Sequence, residues 1–173
     1  MTRFSVRLYA TGNLADQLMA YQAKVSEALD ISLCSPFCPL TDDLEQPTTL
    51  TTVTCIKMLD SAVTAAPQQS ETLVDVVECH YTPEQHALVL SSPLVEAVLQ
   101  AFKARLQDIN YTIVVRQPFR LVLAQPRGLS EHEALLPFSE TLDWSVKTGW
   151  DLKLCQYQDG TWATEAGWPI QQP

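Results

Sequence analysis

Segments with a hydrophobic period of two alternate along this chain with segments of period three to four, so strands and helices must share one core in an α+β arrangement. Arg3 to Ala10 alternates strictly, with Phe4, Val6 and Leu8 facing one way and Arg3, Ser5, Arg7 and Tyr9 the other, as a half-buried strand requires. Asn13 can cap the next element. Leu14, Leu18, Tyr21, Val25 and Leu29 recur at spacings of three and four, which predicts an amphipathic helix over 14–29. Ile31 to Thr41 reads as extended, but Pro36 and Pro39 confine it to an edge, a bulge or an irregular strand. Pro47 can open a second helix with Leu50, Val53, Ile56, Leu59 and Val63 on its buried face, weakened by its many threonines.

Ala65 to Ser70 reads as a loop, and two antiparallel strands are expected at Thr72–His80 and Ala87–Ser91, punctuated by Tyr81-Thr82-Pro83-Glu84-Gln85. Ser92-Pro93 supplies a cap and a first-turn proline. Leu94, Val95, Val98, Leu99, Phe102 and Leu106 continue as a helical stripe to about Gln107. Tyr111–Val115 and Phe119–Ala124 are strand-like and split by Pro118. Ser130 and Glu133 form a capping box for a helix reaching towards Trp144, with Pro137 as a kink or early stop. Trp150, Leu152 and Leu154 alternate with Asp151, Lys153 and Cys155, and Asp159-Gly160 turns the chain into a returning strand at Trp162. The order amounts to a coarse duplication: strand, helix, Pro-rich strand and helix are answered by hairpin, helix, strand and helix.

At 173 residues, 46% of them hydrophobic, the chain is expected to be a single domain over 1–173. Arg3 and Arg7 interrupt any apolar leader, and no apolar run reaches about 18 residues, so a chain outside the membrane, in the cytoplasm, is expected. The odd, scattered set Cys34, Cys38, Cys55, Cys79 and Cys155 fits buried thiols in a reducing compartment better than a disulfide framework. Twenty acidic residues against 11 basic ones give a net charge of −9, which disfavours extended nucleic acid. Small anionic ligands or protein partners suit the balance better. Arg116, Arg120 and Arg127 could form a local basic cleft, although three solvated arginines flanking a strand are the simpler reading.

The opening strand, the long helix, the motif strand Ser35-Pro36-Phe37-Cys38-Pro39-Leu40-Thr41, the hairpin, the second long helix, the motif strand Gln117-Pro118-Phe119-Arg120-Leu121-Val122-Leu123-Ala124 and the closing Trp-rich hairpin together resemble the two-histidine (2H) phosphoesterase superfamily. The likeness is to its cyclic-phosphodiesterase and RNA-ligase-like branch. It implies a bilobal, pseudo-symmetric α+β fold of antiparallel sheets backed by helices, with one His-x-Thr/Ser motif from each lobe facing a cleft. In such a pair one imidazole takes a proton from the attacking oxygen, the other protonates the leaving oxygen, and the hydroxyls hold the phosphate.

This chain departs from that pattern where the chemistry resides. Matching the motifs puts Pro39 and Arg120 at the two histidine positions, keeps Thr41, and puts Val122 at the second hydroxyl. An arginine stays protonated and grips anions without shuttling protons, and proline does neither. The resemblance therefore implies a non-hydrolytic relative that binds a small phosphate-bearing anion or a protein partner, with Thr41, Arg116 and Arg120 as candidate ligand-binding residues and no cofactor. Two alternatives stand beside it: an active phosphodiesterase on 2′,3′-cyclic phosphates using other residues, and a ferredoxin-like binding or assembly module.

Other candidates carry less. His80-Tyr81-Thr82 is a His-x-Thr triplet outside the motif slots, and neither His86 nor His132 has Thr or Ser two residues downstream. Cys34, Cys38, Cys79 and His80 would make a soft metal set only if their strands adjoined, and a cysteine nucleophile beside His80 or His132 has no local signature. Asp42-Asp43-Leu44-Glu45 lacks calcium-loop spacing and reads as a solvated turn. Trp144, Trp150, Trp162 and Trp168 suit core packing at a sheet end, or an aromatic platform for a base or partner.

Overall fold

The computed structural model describes residues 2–31, 33–34, 36–45, 50–66, 74–145 and 149–170. Pro47, Thr72 and residues 67–70 of the loop expected at Ala65–Ser70 lie outside them; Ala65 itself ends a helix. Strand β1 (Arg3–Ala10) leads into helix α1 (Asn13–Ala28), short strands β2 (Phe37–Pro39) and β3 (Leu44–Glu45), and helix α2 (Thr52–Ala65). The hairpin β4 (Asp75–Tyr81) and β5 (His86–Ser91) precedes α3 (Pro93–Gln107), β6 (Phe119–Ala124), α4 (Leu129–Ser139) and the closing hairpin β7 (Trp150–Gln158) and β8 (Thr161–Ile170). The α+β class expected from the sequence is the observed one.

Two antiparallel sheets carry these strands. One runs β2-β1-β7-β8, with β3 also paired to β1, and the other runs β4-β5-β6. They meet edge to edge where β2 lies beside β6. Antiparallel bridges Leu33–Ala124 and Thr41–Val115 flank β2, and Leu40 both donates to the Val6 carbonyl and accepts from the Arg116 amide, each at 2.9 Å.

One side of both sheets faces the helices. Phe4, Val6 and Leu8 of β1, Leu88 and Leu90 of β5, Phe119, Leu121 and Leu123 of β6 and Leu152 and Leu154 of β7 join Leu18, Val25, Leu59, Leu99 and Phe102 of the helices in a single core. Contacts from α2 to Gln156 (Thr52 Oγ1 to Oε1, 3.3 Å) and to Trp168 (Nε1 to Asp60 Oδ1, 3.0 Å) fix that helix on the Leu152 side of the sheet. By strand alternation Arg3, Arg7, Tyr9, Lys153, Tyr157 and Trp162 lie on the opposite side, which no helix covers among the described residues.

Several expectations shift for identifiable reasons. Asn13 is the first helical residue rather than the cap; Gly12, with φ 63°, occupies the cap position. Helix α2 starts at Thr52, capped by Thr51; Leu50 and Leu59 are buried and Ile56 and Val63 pack against the core as expected, Cys55 and Ala62 join the buried face, and Val53 is exposed. Tyr111–Val115 forms only an isolated bridge, not a strand. Helix α4 has Gly128 at its cap with no side-chain cap bond, and it ends at Ser139; Glu131 instead reaches back to the Arg127 amide at 2.7 Å. Asp159 and Gly160, at φ 53° and 87°, make the two-residue hairpin turn as expected.

Candidate functional site

The seam between the sheets brings the two motif strands side by side, and with them Thr41, Arg116 and Arg120. Thr41 is 1% exposed, and its hydroxyl oxygen accepts the Val6 amide at 3.1 Å, so it fastens β1. Arg116 holds Asp42 through Nε at 2.6 Å, both side chains being about half exposed. Arg120 is exposed between buried Phe119 and Leu121, so its side chain turns away from the core, and it takes part in no ion pair among the described residues. Arg127 is bound to Glu131 and to the Asp30 carbonyl.

The residue that sequence reasoning misses is Arg7. It faces Pro39 across the strand pair, is 6% exposed, and lies between the rings of Phe37 (4.2 Å) and Trp162 (3.9 Å). Two aromatic faces stabilise a desolvated guanidinium by roughly 2 kcal/mol or more. Its Nε has no hydrogen-bond partner among the described residues. A buried donor left unpaired costs about 1–3 kcal/mol, and more when charged. Around it Arg3 lies over Tyr157 and pairs with Asp43, while Lys153 lies over Tyr9 near Asp151. Burial first, then the Cys155 thiol, push the Tyr9 phenol up, so it stays a neutral hydrogen-bonding group. The signal in the sequence is the outward row Arg3, Arg7 and Tyr9 on β1, which by alternation alone is simply the wet side of a strand.

The acidic stretch is consumed structurally: Asp42 and Asp43 pair with Arg116 and Arg3, and Leu44 and Glu45 pair with β1. Burial pushes the Cys38 and Cys55 thiols up to about 12 and raises Cys34 and Cys79, the reverse of what activates a nucleophile. Among the described residues no group of three or more His, Cys, Asp or Glu side chains could hold a metal ion. His80, on β4, lies 3.7 Å from Glu78.

A second polar cluster sits on the helix side, and no sequence motif marks it. His86 is fully buried, with Nδ1 2.7 Å from Ser139 Oγ and Nε2 2.8 Å from His132 Nδ1. Ser139 Oγ lies 3.2 Å from the Tyr21 hydroxyl, and the Tyr81 hydroxyl donates to the Ser139 carbonyl at 3.0 Å. Burial first, then the neighbouring His132, lower the His86 pKa to about 4. These residues are separated by up to 118 positions, so no local spacing could announce them.

No family model matches this chain, and no match was found among curated proteins or solved structures. No helix among the described residues is long and apolar enough to cross a membrane.

Proposed function

We propose that this chain is a divergent two-histidine-phosphoesterase-like protein that does not hydrolyse its ligand and binds a small phosphate-bearing anion on the helix-free side, between Arg7 and Arg120. The observation that carries this reading is the orphaned, nine-tenths buried Nε of Arg7, a charged donor that an oxyanion would satisfy. Arg120, exposed, outside any ion pair among the described residues and on the strand that lies beside β2, supplies the second charge of this reading. The juxtaposition of the two motif strands at the seam supports the bilobal, pseudo-symmetric architecture that the resemblance implies. Pro39 and Arg120 at the histidine slots support binding without turnover, since neither can relay a proton.

The test is thermal unfolding with inorganic phosphate and with a panel of 2′,3′-cyclic nucleotides. At a hundredfold excess over Kd a ligand stabilises by about 2.7 kcal/mol, a rise of several degrees, which Arg120→Ala and Arg7→Gln should each abolish. An undiminished response in both variants would refute the site. Turnover of a cyclic nucleotide by the purified protein would instead favour the active phosphodiesterase. No ligand response together with a stable co-purifying protein would favour the assembly module.

A further inference from the structure

The rings that stabilise the Arg7 guanidinium also close it off. Phe37 covers it at 4.2 Å and Trp162 at 3.9 Å, the residue is 6% exposed, and Nε is sealed without a partner among the described residues. With its faces covered, a guanidinium can take an oxyanion only in its own plane, along the edge where Nε–H and a neighbouring Nη–H form a two-donor fork. That edge is shut until one ring withdraws.

The two rings are not equally free. Phe37 belongs to β2, which has β1 on one side and β6 on the other, and its ring lies 5.4 Å from that of Tyr9. Trp162 belongs to β8, an edge strand paired with β7 alone among the described residues, and it is the second residue after the Asp159-Gly160 turn. Most side chains of β8 are exposed, and Trp162 is itself partly so. Its other ring neighbour, Tyr157 at 5.3 Å, is on the same hairpin. Rotation about the Cα–Cβ bond carries the indole towards solvent without breaking a backbone pair.

Resting on the anion reading of Arg7, we propose that Trp162 is a lid over that site and sets which anions enter it. Closed, the indole stabilises the guanidinium; open, an oxyanion held edge-on by two donors takes its place, while Phe37 stays as the fixed wall. Indole and anion compete for one cation, so the stability of the closed lid is subtracted from the apparent affinity. An oxyanion that accepts two charge-assisted bonds displaces the ring, and a spherical halide, which cannot span the fork, does not.

Indole-labelled ¹⁵N spectra of the full chain test this as inorganic phosphate is added, with sodium chloride at matched ionic strength as the comparison. The Trp162 signal, identified by its loss in Trp162→Phe, should shift with the same midpoint as the thermal stabilisation by phosphate. The signals of Trp150, buried in the core, and Trp168, bonded to Asp60, should stay in place, and chloride should move none of the three. A motionless Trp162 signal, while phosphate stabilises the chain through Arg7, would overturn the lid and leave the anion reading standing. No stabilisation by phosphate in either wild type or Trp162→Ala would remove both. Affinity then separates a lid from a wall: Trp162→Ala should bind phosphate about 2- to 30-fold more tightly, the range implied by loss of one cation–π contact. Phe37→Leu, which alters a wall present in both states, should not tighten it. Weaker binding in Trp162→Ala, or equal tightening in the two variants, would overturn the proposal.

Discussion

Acid should weaken this fold through one buried ring, and the size of the effect comes from its surroundings. His86 in the native chain is held at about 4, against an ordinary value of 6.5. The unfolded chain therefore binds a proton at His86 over a range where the folded chain does not. The stability contributed is fully present above pH 6.5, declines as pH falls from there to about 4, and changes no further below that. At about 1.4 kcal/mol per unit the full loss is about 3 kcal/mol, of which about 2 kcal/mol is gone by about pH 5. Urea denaturation at a series of pH values, for wild type and His86→Gln, isolates it. Glutamine can bond to both Ser139 and His132 without titrating, so wild type should lose about 2 kcal/mol more than the variant between about pH 7 and about pH 5. Parallel pH curves for the two proteins would refute the reasoning.

Other outcomes rest on single contacts. Ser92→Ala removes the oxygen that caps Val95 at 3.1 Å in a buried position and should cost about 1–2 kcal/mol in chemical denaturation. Leu99→Ala, at a fully buried site of α3, should cost about 2–5 kcal/mol by the same measurement. Gly160→Ala forces a side chain into φ 87°, and should lower stability by about 1–2 kcal/mol while leaving the phosphate response unchanged. With thiols raised to about 12, Cys38 and Cys55 should resist alkylation at about pH 8 in the folded protein and react on unfolding, as mass spectrometry would report.

Features that depend on neighbours within a few residues are legible in the sequence. The alternation over β1, the stripe of α3 with its Ser92-Pro93 start, and the Asp159-Gly160 turn all appear where the local pattern places them. For helix α2 the pattern places Leu50, Ile56, Leu59 and Val63 against the core but misassigns Val53, because the threonine-rich segment leaves the edge of the stripe weak and packing against α3 decides where it ends. The candidate site is harder still. Arg7 looks like an ordinary solvent-facing charge, and only the return of Trp162 from the far end of the chain, with Phe37 from β2, encloses it. His86 and His132 lack the hydroxyl neighbour of a His-x-Thr/Ser motif, and their partners are instead each other and a serine at the end of α4.

The double engagement of Leu40 has a consequence for how such a chain can change over time. Its peptide groups act as a rivet, N–H fixed to β1 and carbonyl fixed to the segment before β6, while its side chain is fully enclosed. Either half can drift in sequence without parting from the other, provided position 40 keeps an amide hydrogen and a side chain that fits. On backbone grounds proline is the one residue type barred there, although it is accepted next door at Pro39.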